Sequence, residues 1–153
     1  MNVENIHESL IFPHLDASSQ EEVFEKMGGA LIEQGFCKET YVDALKEREA
    51  HFSTGVDVGA SCGVAIPHTD VSHVKKAAVA VATLDKPVSW IHMGTEDVEV
   101  EVQVIFMLAI DDPNSHLDQL QNVIQPIQQK EIINKMADCD SQKKIIEVIK
   151  GAK

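Results

Sequence analysis

Cysteine, aromatic residues and positive charge are all scarce in this sequence, and no apolar run is long. Three cysteines, Cys37, Cys62 and Cys139, stand far apart with no C-x-x-C pair among them. Neither a disulfide framework nor a zinc site is encoded, and a reducing cytoplasm is the expected compartment. Lys and Arg number 13 against 25 Asp and Glu, giving a formal charge of −12. A nucleic-acid backbone needs clustered cations, so DNA and RNA are excluded as expected partners. The longest apolar run, near Val104 to Ile110, is too short to cross a bilayer. The N-terminus Met1-Asn2-Val3-Glu4-Asn5 has neither the basic region nor the apolar core of a signal peptide. Direct membrane insertion is therefore not expected, and no internal repeat or low-complexity linker divides the chain.

What is present suits one α/β domain over residues 1–153, since 153 residues at 44% hydrophobic content can bury a single core without staples. Glu8 to Leu15 reads as a short strand or extended arm. A helix start follows, with Ser18 and Glu21, or Ser19 and Glu22, spaced as a capping box. Val23, Met27, Ala30 and Leu31 recur at helical spacing, with Gly35 as the stop. Tyr41, Ala44, Leu45 and Arg48 mark a second helix over about Lys38 to His51. Ala77 to Leu84 and Asp97 to Ile110 read as strands; the second begins with Val98, Val100, Val102 and Val104 on one face and becomes uniformly apolar. Ser115 caps a further helix with Leu117, Leu120, Val123, Ile124 and Ile127 as its stripe. Pro126 predicts a kink or break, with a boundary near Gln125. A last amphipathic helix runs from about Ser141 to Lys150. Helices before and after several strands predict a three-layer α/β/α arrangement, a mixed β-sheet flanked by helices on both faces.

One stretch stands out for chemistry. In Gly63-Val64-Ala65-Ile66-Pro67-His68-Thr69-Asp70 a buried strand end delivers a proline and then a histidine into a polar turn. Pro67 fixes its own φ and pushes Ile66 toward extended geometry, which puts the imidazole of His68 on a stiff stalk. A nucleophilic imidazole must be neutral with one nitrogen available, and a rigid backbone lets an acceptor pin the proton on the other. Taken alone, a Pro-His after a strand is also an ordinary surface turn. Arg48 alone is equally a solvated helix-end cation, and Ser53 and Thr54 alone are equally a plain turn. His73, five residues after His68, has poor zinc geometry with it. His7, His14, His51 and His92 read as surface or half-buried residues, and Trp90 and Met93 as packing at the sheet edge.

Context on both sides of His68 decides between these readings. Glu47-Arg48-Glu49-Ala50-His51-Phe52-Ser53-Thr54-Gly55 stands upstream. Downstream a strand runs into Ala109-Ile110-Asp111-Asp112-Pro113-Asn114-Ser115-His116-Leu117. With Gly63 to His68, these blocks resemble the fructose/mannitol/galactitol type of enzyme IIA of the bacterial phosphoenolpyruvate-dependent sugar phosphotransferase system. The resemblance covers nearly the whole chain, from Leu15-Asp16-Ala17-Ser18-Ser19 through Gly35, Tyr41 and Leu45 to the terminal helix. It implies that His68 is the phosphorylated histidine, that His116 and Arg48 stabilise the phosphoryl group, and that Ser53 and Thr54 bind it.

The resemblance further implies a cytoplasmic phosphoryl carrier with no metal and no cofactor. Its donor is the phosphohistidine of HPr and its acceptor a cysteine of enzyme IIB, coupled to enzyme IIC in the membrane. A dry transfer interface requires apolar surface around His68, to which Val64, Ile66 and Val71 are expected to contribute. The Ala44-Leu45 to Gly55 stretch is most similar to galactitol-type members, with fructose and mannitol next. The same family contains regulatory phosphoacceptors that bind other proteins according to phosphorylation state, which is the alternative reading.

Overall fold

Valine-rich runs and apolar residues at helical spacing give the following elements, in chain order: β1 (Ile6–Leu15), α1 (Gln20–Val23), a π-helical turn (Phe24–Gly28), α2 (Gly29–Glu33), α3 (Tyr41–His51), β2 (Gly55–Val56), β3 (Gly63–Ala65), a 3-10 turn (Val71–His73), β4 (Ala78–Ile91), β5 (Glu99–Ala109), α4 (Lys130–Ala137) and α5 (Gln142–Gly151). The structure is a computed structural model and describes residues 6–112, 125 and 129–151. The strands lie in the order β1-β4-β5-β3-β2. β1 is parallel to β4 and β3 to β5, whereas β4–β5 and β2–β3 are antiparallel. This is the mixed sheet that the sequence predicts. Period two along β4 and β5 sends alternate residues to opposite faces. Ala80, Ile105 and Met107 pack with Val23, Met27, Leu31, Tyr41 and Leu45 on one side. Val81, Phe106 and Leu108 pack with Ile133, Met136, Ile145 and Ile149 on the other. Helices thus cover both faces.

Local chemistry sets the element ends. Ser19 caps α1, its side chain accepting from the Glu22 backbone N–H at 3.2 Å, while the Ser18 hydroxyl donates to Glu22 at 2.7 Å. The first helix, read as continuous, is interrupted by the π turn. At its far end Gly35, at φ 86°, donates to the Ile32 carbonyl and Phe36 to the Leu31 carbonyl, a left-handed cap that glycine takes without steric cost. The final helix begins as expected, with the Ser141 hydroxyl accepting from the Lys144 N–H at 3.2 Å. Two expectations need correction. β4 does not stop at Leu84 but continues to Ile91, passing exposed Asp85, Lys86 and Pro87 through a register shift between Thr83 and Val88; a proline is tolerated there because the ladder is already broken. Trp90, read as packing at the sheet edge, is fully buried: it pairs with Val100 of β5 beyond the last β1–β4 pair, Leu15 with Leu84, and the indole is 0% exposed. The expectations for Ser115, His116, Leu117, Leu120, Val123, Ile124, Pro126 and Ile127 lie outside the described residues.

The sheet also brings the motifs together. β3 and β5 are parallel, with Ala65 opposite Ile105, so the chain leaves both strands at the same edge of the sheet. β2 pairs Gly55 with Ala65 and Val56 with Val64, which lays the Ser53-Thr54-Gly55 loop alongside the strand that ends in Ile66-Pro67-His68. Gly55 also bridges to His92, and a Cβ there would come within 2.7 Å of the Ile91 carbonyl oxygen and 3.1 Å of Trp90 Cβ. Only glycine lets the loop approach β4 this closely.

Candidate functional site

The stalk beneath His68 is hydrogen-bonded on both sides. The Ile66 N–H donates to the Thr54 carbonyl at 3.2 Å, and the Pro67 carbonyl accepts from the Leu108 N–H at 2.9 Å. Ile66 is 1% exposed, so the segment is anchored in the core until it surfaces at half-buried His68. The imidazole Nδ1 lies 2.9 Å from the Ile66 carbonyl oxygen. A carbonyl oxygen can only accept, so Nδ1 carries the hydrogen, and in the neutral ring the lone pair is then on Nε2. The tautomer required of a nucleophile is selected by the residue two positions back in the chain. Beyond His68 the chain is fixed again. Asp70 caps the 3-10 turn, accepting from the Ser72 hydroxyl at 2.6 Å; that bond holds the exposed Asp70 carboxyl below its ordinary range.

Arg48, Ser53, Thr54 and His68 line one cavity of about 440 Å³, with Phe52 and Met93 also in its wall. Four of the five site residues named from the sequence therefore meet, and His116 lies outside the described residues. The Arg48 guanidinium lies 5.1 Å from the Phe52 ring centroid, and its buried Nε has no hydrogen-bond partner among the described residues. A buried donor without an acceptor is costly and suits a site awaiting an anion. A larger cavity, about 540 Å³, shares His51, Ser53, Thr95 and Glu96 with this one but adds Glu21 and Glu49 and lacks both His68 and Arg48. Its cation, Lys46, is paired with Glu25 at 3.1 Å, so its charge disfavours a phosphoryl group.

Thr54 has a different place from the one its sequence position suggests. It is 3% exposed, its N–H donates to Glu49 Oε2 at 2.7 Å and its hydroxyl to Glu49 Oε1 at 2.7 Å. The Trp90 indole N–H in turn donates to the Thr54 hydroxyl at 3.3 Å. Both hydrogens of Thr54 are committed inward, which leaves Ser53 as the member of the pair placed to face a ligand. Burial pushes the Glu49 carboxyl above its ordinary value, opposed chiefly by the two Thr54 bonds and less by Arg48. Sequence reasoning missed Glu49 and Trp90. The signal was available, because Tyr41, Leu45 and Glu49 are spaced by four and form the buried stripe of α3, and an acid on such a stripe needs donors.

The apolar rim also differs from expectation. Val64 and Ile66 are 0% and 1% exposed because they face the core, so they offer no surface. The exposed apolar residues at the cavity are Phe52 at 63% and Met93 at 41%. No thiol competes with the imidazole as nucleophile. Burial pushes Cys37 up to about 12 and raises Cys62 and Cys139 as well, and a protonated thiol is a poor nucleophile.

A rigid histidine with an assigned tautomer and an arginine with an unsatisfied donor line one cavity on an α/β sheet, and their chemistry suits an anion. Comparison with known proteins places the chain more closely. Residues 4–152 match the family model described as "Phosphoenolpyruvate-dependent sugar phosphotransferase system, EIIA 2", and the chain belongs to that family, whose IIA components are phosphotransferases. It is 30% identical over 145 residues to the mannitol-specific phosphotransferase enzyme IIA component of Staphylococcus aureus (strain N315), covering 93% of this chain and 92% of that one. It is 28% identical over 114 residues to the galactitol-specific EIIA component of Escherichia coli (strain K12), covering 73% of each. It is also 32% identical over 101 residues to the transcriptional regulator ManR of Bacillus subtilis (strain 168), covering 66% of this chain but only 14% of the regulator. Among solved structures, the Escherichia coli mannitol enzyme IIA in complex with phosphorylated mannitol enzyme IIB superposes with a TM-score of 0.76 at 20% identity, covering 95% of this chain and 99% of that one. At that identity the likeness concerns the fold. Among the described residues no helix is long and apolar enough to cross a membrane.

Proposed function

We propose that this chain is a phosphoryl carrier that accepts a phosphoryl group from phospho-HPr on Nε2 of His68 and passes it to a cysteine of an enzyme IIB. The observation that carries this reading is the Nδ1–H bond to the Ile66 carbonyl at 2.9 Å. In the transfer, the Nε2 lone pair forms the new bond to phosphorus. The donor's nitrogen–phosphorus bond breaks, and its electron pair returns to the donor ring. Positive charge develops on the His68 ring, where the Ile66 carbonyl dipole already faces Nδ1–H and stabilises it. The transition state of such a transfer is loose, so the gain comes from positioning and from donors aimed at the equatorial oxygens. Arg48, with its planar fork and unpartnered Nε, supplies donors, and Ser53 is placed to add one. His116 is assigned here from the sequence as a further stabiliser. Phe52 and Met93 provide apolar surface for a partner to exclude water.

The acceptor of galactitol type is favoured, then fructose and mannitol types. The similarity to ManR favours a second reading, in which the phosphorylated chain signals to another protein. Incubation with phosphoenolpyruvate, enzyme I and HPr, then with the three IIB types, separates these. Label reaching His68 and then a IIB supports transport, with the fastest acceptor naming the sugar class. Label that reaches His68 and none of the three supports signalling, and no label on the chain refutes both.

A further inference from the structure

We propose that Glu49 is a positioning residue for His68, acting through Thr54 and Ile66; the proposal rests on the reading that His68 carries the phosphoryl group. Successive hydrogen bonds join the two. Glu49 accepts from both the N–H and the hydroxyl of Thr54 at 2.7 Å each. The Thr54 carbonyl accepts from the Ile66 N–H at 3.2 Å, and the Ile66 carbonyl accepts from His68 Nδ1 at 2.9 Å. Each bond fixes the group that makes the next, and between Ile66 and His68 stands only Pro67, whose φ is locked. Trp90 completes the arrangement. Its N–H occupies the acceptor side of the Thr54 hydroxyl, which leaves the hydroxyl hydrogen to Glu49.

Chemistry requires a carboxylate here. Two donors of one residue meet two oxygens, and a glutamine would present an NH₂ to one of those donors. A buried acid 8% exposed is costly, and it stands next to Arg48 in the chain without lining the cavity that holds His68. Holding Thr54, and so the carbonyl that selects the His68 tautomer, accounts for its presence.

The test uses the 153-residue chain, labelled with ¹⁵N, in which long-range proton–nitrogen correlations of the imidazole report the His68 tautomer. Wild type should show the Nδ1–H form. Glu49→Gln should raise the minor Nε2–H form at least about threefold and slow phosphoryl transfer from phospho-HPr about tenfold, inside the ~10²-fold that a 1 Å misplacement can cost. Thr54→Val should shift both readings the same way, and Thr54→Ser, which keeps the hydroxyl, should restore them. A tautomer ratio and a transfer rate within twofold of wild type in Glu49→Gln would overturn the proposal. Should Glu49→Gln not fold, the same two readings on Thr54→Val against Thr54→Ser decide it. If wild type takes no label from phospho-HPr, the carrier reading falls, while the tautomer shift still decides whether Glu49 positions His68.

Discussion

Replacing Thr54 by valine keeps the shape of the side chain and removes one oxygen from the buried Glu49–Thr54–Trp90 group. The hydroxyl donates to Glu49 Oε1 at 2.7 Å and accepts from Trp90 Nε1 at 3.3 Å, so two buried partners lose their bond at once. A hydrogen bond to a charged group contributes about 1.5–3 kcal/mol and a neutral one about 1 kcal/mol. Thr54→Val is therefore expected to lose about 2–4 kcal/mol, whereas Thr54→Ser should stay within about 1 kcal/mol. The loss should depend on pH. Burial holds the folded Glu49 carboxyl above its ordinary 4.5, so across that window the native state binds more protons than the unfolded chain, and stability falls as pH rises. Removing a donor that favours the ionised form raises the folded value further. The gap between wild type and Thr54→Val should therefore be smallest below pH 4.5, where the lost Trp90 bond still counts, and widen as pH rises through the folded value. Urea unfolding at a series of pH values measures this. A gap under about 0.5 kcal/mol at pH 7, or one that narrows as pH rises, would refute the reasoning.

Other outcomes follow from the same geometry. Arg48→Met removes the guanidinium and keeps an apolar stem, and should slow phosphoryl transfer by ~10²–10³ while leaving slow labelling of His68 detectable in a time course; wild-type rates would remove Arg48 from the site. Gly55→Ala places a methyl 2.7 Å from the Ile91 carbonyl oxygen and should cost about 1–3 kcal/mol in thermal unfolding, with transfer slowed because the same loop carries Thr54. Tyr41 is the single tyrosine, and its hydroxyl donates to the Leu108 carbonyl at 2.7 Å. Burial raises its phenol well above the ordinary 10.0, so stability falls as pH rises past 10.0, and ultraviolet titration should show tyrosinate appearing together with unfolding.

The sequence carried the layers and the position of the nucleophile because both are written in local patterns. Period two in Val98 to Val104 and apolar spacing of three and four in the helices are consequences of backbone geometry, and Pro67 restrains its neighbours wherever it stands. The π turn at Phe24–Gly28 leaves no comparable trace, since one extra residue in a turn barely disturbs the spacing of Val23, Met27 and Leu31. The length of β4 was hidden because Asp85-Lys86-Pro87 has the composition of a turn, and only the pairing with β5 that resumes at Val88 continues the strand beyond it. Glu49, Thr54 and Trp90 are separated by up to 41 residues in the chain, and their contact depends on Gly55 approaching β4, a tertiary event. The inward commitment of Thr54 could not be read from Ser-Thr-Gly alone, because either hydroxyl can face a ligand in a turn.

The central claim is that Nε2 of His68 carries the phosphoryl group. Its most direct test is ³¹P and ¹⁵N resonance of the chain phosphorylated by phospho-HPr, with coupling between phosphorus and a ring nitrogen identifying the atom. The account predicts acid-labile phosphorus bonded to Nε2 of His68, Nδ1 still hydrogen-bonded, and no label in His68→Ala. Phosphorus on Nδ1, on another residue, or retained by His68→Ala would contradict it.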